Sequence, residues 1–159
     1  MKNRNLEHKD DWATPDYVLN PLYKEFGDLF DPCPFQHNVS DWDGLDIEWA
    51  NKNFINPPYS RVLKNNFTEG ELQEELVVRK FRTTTQHGAI EESKKGKLCV
   101  ILLPVSTSTK LFHEHILPNK TEIRFLKGRV KFKGYNTKGE FVTSKCGMHD
   151  SMLVIFDGR

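Results

Sequence analysis

The run Leu98-Cys99-Val100-Ile101-Leu102-Leu103, closed by Pro104, most constrains what this chain can become. A continuous apolar run without alternation describes a strand covered on both faces, as in a parallel sheet flanked by helices. Pro104 cannot donate to a ladder and ends the strand. Two other apolar segments end in the same manner. Leu29-Phe30 run into Asp31-Pro32-Cys33-Pro34, and Phe54-Ile55 run into Asn56-Pro57-Pro58-Tyr59. In open α/β sheets, ligands bind outside the carboxyl ends of the strands. The three proline-closed loops therefore stand together as one candidate site.

The rest of the chain alternates helix and strand signals. Thr14 can cap a helix that has Pro15 at its first position and Asp16 at the positive end of its dipole. Val18, Leu19, Leu22 and Phe26 share one face, Gly27 is a stop, and Pro21 predicts a kink or a restart at Asn20. Residues 29–31 read as a short strand, 36–51 as turns, and 54–55 as the end of a second strand. Thr68 and Glu71 form a capping box for a helix near residues 69–81, followed by a polar loop over 82–97. After the apolar strand, a Ser/Thr-capped helix covers 106–117. Residues 121–134 read as a strand, a Lys127-Gly128 turn and a second strand, and 151–156 as a last strand. The pattern predicts an α/β sheet with flanking helices and a C-terminal end rich in β-hairpins. With 159 residues and no long linker, 1–159 reads as one domain, in which 62–97 is a helical and loop insert.

Composition narrows the classes. No apolar run approaches the roughly 18–20 residues of a membrane span, and the polar N-terminus has no signal-peptide core. Three cysteines, widely spaced, make neither a zinc pattern nor a disulfide framework, as expected of a reducing cytoplasm. His113 and His115 sit two apart on a predicted helix and point to different faces, a poor metal site; no metal is expected. The net charge is only +1, but residues 1–50 hold four Lys/Arg against eleven acids, and 120–139 hold seven Lys/Arg against Glu122 alone. That asymmetry describes either two solvated faces or an acidic pocket beside a surface suited to a polyanion.

The Asn-Pro-Pro-Tyr loop has a chemistry of its own. A planar exocyclic amine offers two N–H donors and a weakly nucleophilic nitrogen. The Asn56 side-chain oxygen can accept one N–H and the Pro57 carbonyl the other. The prolines hold these acceptors in place, and Tyr59 offers a flat face for stacking on a heterocycle. Drawing both hydrogens into the acceptors turns the nitrogen lone pair toward an electrophile. Asn56, beyond the last strand residue, has no obvious structural partner. Cys33 and Cys99 read first as packing residues. Phe125, Phe132, Tyr135 and Phe141 either pack or stack on bases, packing being the commoner use of aromatics in strands.

In these motifs the chain resembles the S-adenosylmethionine-dependent DNA amino-methyltransferases, most of all the small phage-encoded, Dam-like DNA N6-adenine methyltransferases. "DDWATP", "FDPCP", "DWDGLDIEW", "FINPPYS", "VILLPVSTSTKLFHEHI", "IRFLKGRVKF" and "SMLVIF" follow that family's order, while 62–97 adds little. The resemblance implies a single Rossmann-like methyltransferase sheet and methylation of adenine in double-stranded DNA after the base is flipped. It implies a catalytic loop of Asn56, Pro57, Pro58 and Tyr59. It assigns Trp12, Thr14, Pro15, Asp31, Pro32, Asp43, Asp46, Asn56 and Pro104 to S-adenosylmethionine. It makes the basic segment, with Arg124, Lys127, Arg129, Lys131 and Lys133, the DNA-binding hairpin, and 62–97 a candidate for target recognition. A phage or prophage protein acting in a bacterial cytoplasm, with no membrane partner, would follow; a monomer is the simplest assembly. The family's larger members place glycines after the first Asp, whereas "DPCPFQHN" has none. Two other readings stay open: an amino-methyltransferase for RNA or a protein glutamine, and a non-catalytic nucleic-acid-binding member of the fold.

Overall fold

The computed structural model of the chain describes residues 12–57, 63–64, 67–78, 88–135, 138–147 and 149–159, without the side chains of 63–64, 67–72 and 144–146. In chain order these residues give β1 (Trp12–Ala13), α1 (Asp16–Phe26), β2 (Lys52–Ile55), β3 (Leu63–Lys64), β4 (Phe67–Thr68), α2 (Glu69–Val78), α3 (Ala89–Ser93) and β5 (Leu98–Pro104). A π-helical turn, Leu111–Ile116, then runs into α4 (Leu117–Asn119), followed by β6 (Glu122–Phe125), β7 (Lys131–Tyr135), β8 (Phe141–Cys146) and β9 (Ser151–Asp157).

The apolar run does become the central strand. The main sheet has the order β2-β5-β9-β6. β2 is parallel to β5, and β9 is antiparallel to both β5 and β6. Alternate residues of β5 serve two different cores, which is why none of them is polar. Leu98, Val100 and Leu102 pack with Val18 and Leu22 of α1, and with Val130 and Phe132. Cys99, Ile101 and Leu103 pack with Leu45, Trp49, Leu76, Val77, Ile90, Phe112 and Ile116 on the other side. At roughly 1.5–3 kcal/mol per buried aliphatic side chain, this strand is a principal source of stability.

The mixed α/β class holds, but the expectation of one sheet is corrected. The described residues form the four-stranded sheet, a three-stranded sheet of order β1-β7-β8, and the pair β3-β4. The segment read as a basic hairpin is divided between two of these. β6 pairs with β9, while β7 pairs with β1 and β8. The Lys127-Gly128 turn exists, with Gly128 at φ +73°, but it carries the chain from one sheet to the other. Val130 and Phe132 beyond it bury against the α1 side of the core, and that burial draws β7 away from β6.

Other local expectations shift for similar reasons. Pro15 precedes α1, and Pro21 lies inside an unbroken helix. Val18 and Leu22, on either side of the missing Pro21 amide, are anchored in the core and hold the helix together. Gly27 ends it as expected, at φ +86° with its N–H donating to the Tyr23 carbonyl. The predicted strand at 29–31 shrinks to a single parallel bridge, Phe30 to Asn53. Thr109 caps the following helix, its Oγ1 accepting the Phe112 N–H at 3.2 Å. The capping-box side chains lie outside the described residues.

The stretch read as a polar loop contains α3 and a buried ion pair. Glu92 is fully buried. Its Oε2 accepts from Lys97 Nζ at 2.8 Å, and the same ammonium donates to the Trp49 carbonyl at 2.8 Å. Burial alone would lower the Lys97 pKa, but the carboxylates of Glu92 and Glu48 outweigh it and raise the pKa above 10.5. Because the folded value is the higher one, the stabilisation is complete below the ordinary lysine range and is lost as pH rises through the folded value. Removing one partner of a buried pair strands the other charge, so Glu92→Ala should cost roughly 3–5 kcal/mol in urea unfolding near neutral pH. A loss under 1 kcal/mol would show that water reaches this pair.

Candidate active site

The topology brings the three proline-closed loops to one edge. β2 and β5 run in register from Lys52 opposite Leu98 to Ile55 opposite Ile101. Phe30 bridges Asn53 in the same sense. Asp31, Asn56 and Pro104 therefore leave the sheet at the same side. β6 also runs this way, since it shares the antiparallel neighbour β9 with β5. The loops after β5 and β6 flank the start of β9. Val105 N–H donates to the Asp150 carbonyl at 2.8 Å, and Leu126 N–H to the Ser151 carbonyl at 3.0 Å. Lys127 and Arg129 thus emerge at the site edge.

Asn56 does have a structural partner, contrary to the sequence expectation. Its Nδ2 donates to the Trp12 carbonyl at 3.1 Å. A carbonyl can only accept, so this contact fixes which end of the amide is the nitrogen. The Oδ1 acceptor is held at the opposite end. Trp12 in turn lies opposite Gly134, and Ala13 opposite Lys133, in the β1–β7 ladder. The loop residue and the basic strand are therefore joined through a strand of two residues. Pro57 is buried. Pro58 and Tyr59 lie outside the described residues.

Asp31 closes its own turn, with Oδ1 accepting the Cys33 N–H at 2.8 Å. Pro32 is buried and faces a glycine elsewhere: a Cβ on Gly44 would lie 1.9 Å from the Pro32 carbonyl oxygen. The Gly44 carbonyl accepts from Trp49 Nε1 at 2.7 Å, so indole packing fixes the approach. Asp43 is buried, with Oδ1 accepting the Leu45 N–H at 2.9 Å, whereas Asp46 is exposed. His37 and Trp42 pack in the same loop, their ring centroids 3.9 Å apart and their planes tilted by 41°.

The Tyr23 hydroxyl has its pKa raised by burial, then by the carboxylates of Asp31, Asp16 and Asp28. Burial is the larger cause, and the three carboxylates act in the same direction. Thr14 is half-buried and Pro15 buried at the start of α1, and Pro104 is half-buried at the end of β5. Among the described residues, no group of three or more His, Cys, Asp or Glu is placed to hold a metal ion, and no helix is long and apolar enough to cross a membrane.

The basic residues divide into two sets. Arg124 is held by Glu25 through contacts of 2.6 and 2.7 Å, and by Glu122 at 2.7 Å. Those hydrogen bonds lower the pKa of both carboxylates and raise that of the guanidinium. One guanidinium against two carboxylates leaves that cluster net negative. Lys127 and Lys131 are exposed and have no ion pair among the described residues. Arg129 and Lys133 make longer contacts, to Asp150 at 3.7 Å and to Asp16 at 3.8 Å. Tyr17, not singled out from sequence, accepts the Lys131 N–H at 2.9 Å and ties β7 to α1. Its spacing from Val18 gave no sign of this, since the partner lies 114 residues away.

Gly44 was visible in the sequence only as part of a motif. The structure shows that its missing side chain lets the loops after Phe30 and Trp42 pack together. Gly44→Ala should displace Pro32 and cost at least the roughly 1–3 kcal/mol of an overpacked core position, measured by urea denaturation. An unchanged unfolding midpoint would contradict the close approach.

A family model described as DNA N-6-adenine-methyltransferase (Dam) matches residues 2–158. No curated protein and no solved structure matches the chain. The match takes in nearly the whole length, insert included. The chain belongs to the DNA N-6-adenine-methyltransferase (Dam) family and is a DNA adenine N6-methyltransferase.

Proposed function

We propose that the protein transfers a methyl group from S-adenosylmethionine to the N6 amine of an adenine rotated out of double-stranded DNA, and that Asn56, Pro57, Pro58 and Tyr59 hold that base. The observation that carries this reading is the bond from Asn56 Nδ2 to the Trp12 carbonyl. That bond orients the amide, with its nitrogen toward Trp12 and its Oδ1, the atom that would accept an amine N–H, at the other end. The Pro57 carbonyl is the second acceptor, and Tyr59 stacks on the adenine ring. In this reading 1–159 is one domain, the four-stranded sheet is its Rossmann-like unit, and 62–97 contributes to target recognition.

The residues at the edge fit a cationic cofactor. Asp31 is one of three carboxylates that add to burial in raising the pKa of the Tyr23 hydroxyl, and its negative charge would stabilise a sulfonium and an α-ammonium. S-adenosylmethionine, when bound, supplies an electrophilic methyl group. Asp31, Pro32, Trp12, Thr14, Pro15 and Pro104 would line it. Asp46, which is exposed, is better placed than the buried Asp43 for a hydroxyl of the ribose. Asp43 instead shapes the turn that brings Gly44 to Pro32.

DNA lies along the site edge, against Lys127, Arg129, Lys131 and Lys133. Unpairing an adenine costs a few kcal/mol, which phosphate contacts offset. Arg124 takes no part, because binding a phosphate would mean leaving two carboxylates. Activity on DNA places the protein in a compartment that holds DNA, such as a bacterial cytoplasm.

Asn56→Ala should lower the methyl-transfer rate by roughly 2–4 kcal/mol of transition-state stabilisation. Stability should fall by only about 1 kcal/mol, the worth of the Trp12 bond. Labelled-methyl incorporation and urea unfolding of the same preparation measure the two. Near-wild-type turnover would remove Asn56 from the site.

The charge division gives a second outcome. Replacing Lys127 and Lys131 by Gln should flatten the dependence of log K on log salt by roughly two, whereas Arg124→Gln should leave it unchanged. Salt titrations of duplex binding decide this. An unchanged slope in the double variant would place the DNA elsewhere, with Lys64, Arg79, Lys80 and Arg82 of the insert the next residues to test.

A further inference from the structure

The aromatic residues of the basic segment do not share one environment. Phe132 is buried among α1 and β5 side chains and serves packing. Tyr135 and Phe141 face each other across the β7–β8 ladder. Their ring centroids are 5.2 Å apart at an interplanar angle of 65°, and Phe141 is 51% exposed. Alternation along β7 puts Phe132 and Gly134 inward, and Lys131, Lys133 and Tyr135 on the outer face. The segment from Lys131 to Cys146 carries four lysines against Glu140 alone. An exposed pair of rings within such a surface suits a planar, apolar partner attached to a polyanion.

Its position narrows that partner further. Tyr135 follows Gly134, the residue opposite Trp12, whose carbonyl holds Asn56. Neighbouring strands lie about 4.8 Å apart and residues along a strand about 3.4 Å. The ring pair therefore sits on the order of 10 Å from the residue that anchors the catalytic loop. That is the scale of one nucleotide and its neighbour.

We propose that Tyr135 and Phe141 form a stacking platform for the duplex step that loses its neighbour when the target adenine rotates out. Resting on the function assigned above, this gives the ring pair the role of stabilising the opened duplex. The adenine in the pocket is held by other residues. Phe141 is the exposed ring that meets the base, and Tyr135 supports it edge-on from the adjacent strand. Lys131 and Lys133, on the same face, hold the backbone on either side.

The test compares wild type, Phe141→Ala and Phe141→Trp on a duplex bearing the sequence that wild type methylates. One form is fully paired, and the other has an abasic site opposite the target adenine, so that pairing is already lost. On the paired duplex Phe141→Ala should slow single-turnover methyl transfer about tenfold, in line with the loss of one base–aromatic stack. On the abasic duplex it should fall within twofold of wild type, and Phe141→Trp should stay close to wild type on both. The urea midpoint should barely move, because Phe141 is half exposed. Equal losses on the two duplexes, or none on the paired one, overturn the proposal. Wild-type protein that methylates neither overturns the function it rests on as well.

Discussion

β5 is buried on both faces, and every loop of the site takes its position from that constraint. A strand with Leu98, Val100 and Leu102 in one core and Cys99, Ile101 and Leu103 in the other cannot shift register by one residue without exchanging the two sets. Its parallel neighbour β2 is thereby fixed, and with it the point at which Asn56 leaves the sheet. Its antiparallel neighbour β9 fixes β6, and so the place where Lys127 and Arg129 emerge. The prolines that close these strands add rigidity where chemistry needs it and remove donors that no ladder could use.

The second link is smaller but decides what the site can do. β1 has two residues, yet it pairs with β7 and accepts the Asn56 amide. Asn56 and the basic strand thus meet at Trp12. Binding energy gained along β7 can steady the loop residue two contacts away, a use of remote contacts to position a reacting group.

Much of this was legible because it is local. Proline after an apolar run ends a strand wherever it occurs, and the ends of β2 and β5 could be read from it. What escaped depends on partners distant in sequence. Alternation in 121–134 showed two strands but not that each would find a different sheet. The Arg124–Glu25 pairing could not be read from the sequence because the two residues lie 99 apart. The stretch before Lys97 looked like a loop because Glu92 and Lys97 are charged, and only the fold shows that they satisfy each other indoors. Gly44 shows the converse: the sequence contains the glycine, but its reason is a carbonyl from another loop.

The central claim is that the edge of this sheet delivers a methyl group to the exocyclic amine of adenine. Nucleoside mass spectrometry of duplex DNA incubated with the protein and S-adenosylmethionine carrying a deuterated methyl group tests it most directly. The account predicts deuterated N6-methyladenine, formed far more slowly when Asn56→Ala replaces wild type. Deuterium found only on cytosine, or on no nucleoside while the folded protein binds the cofactor, would contradict it.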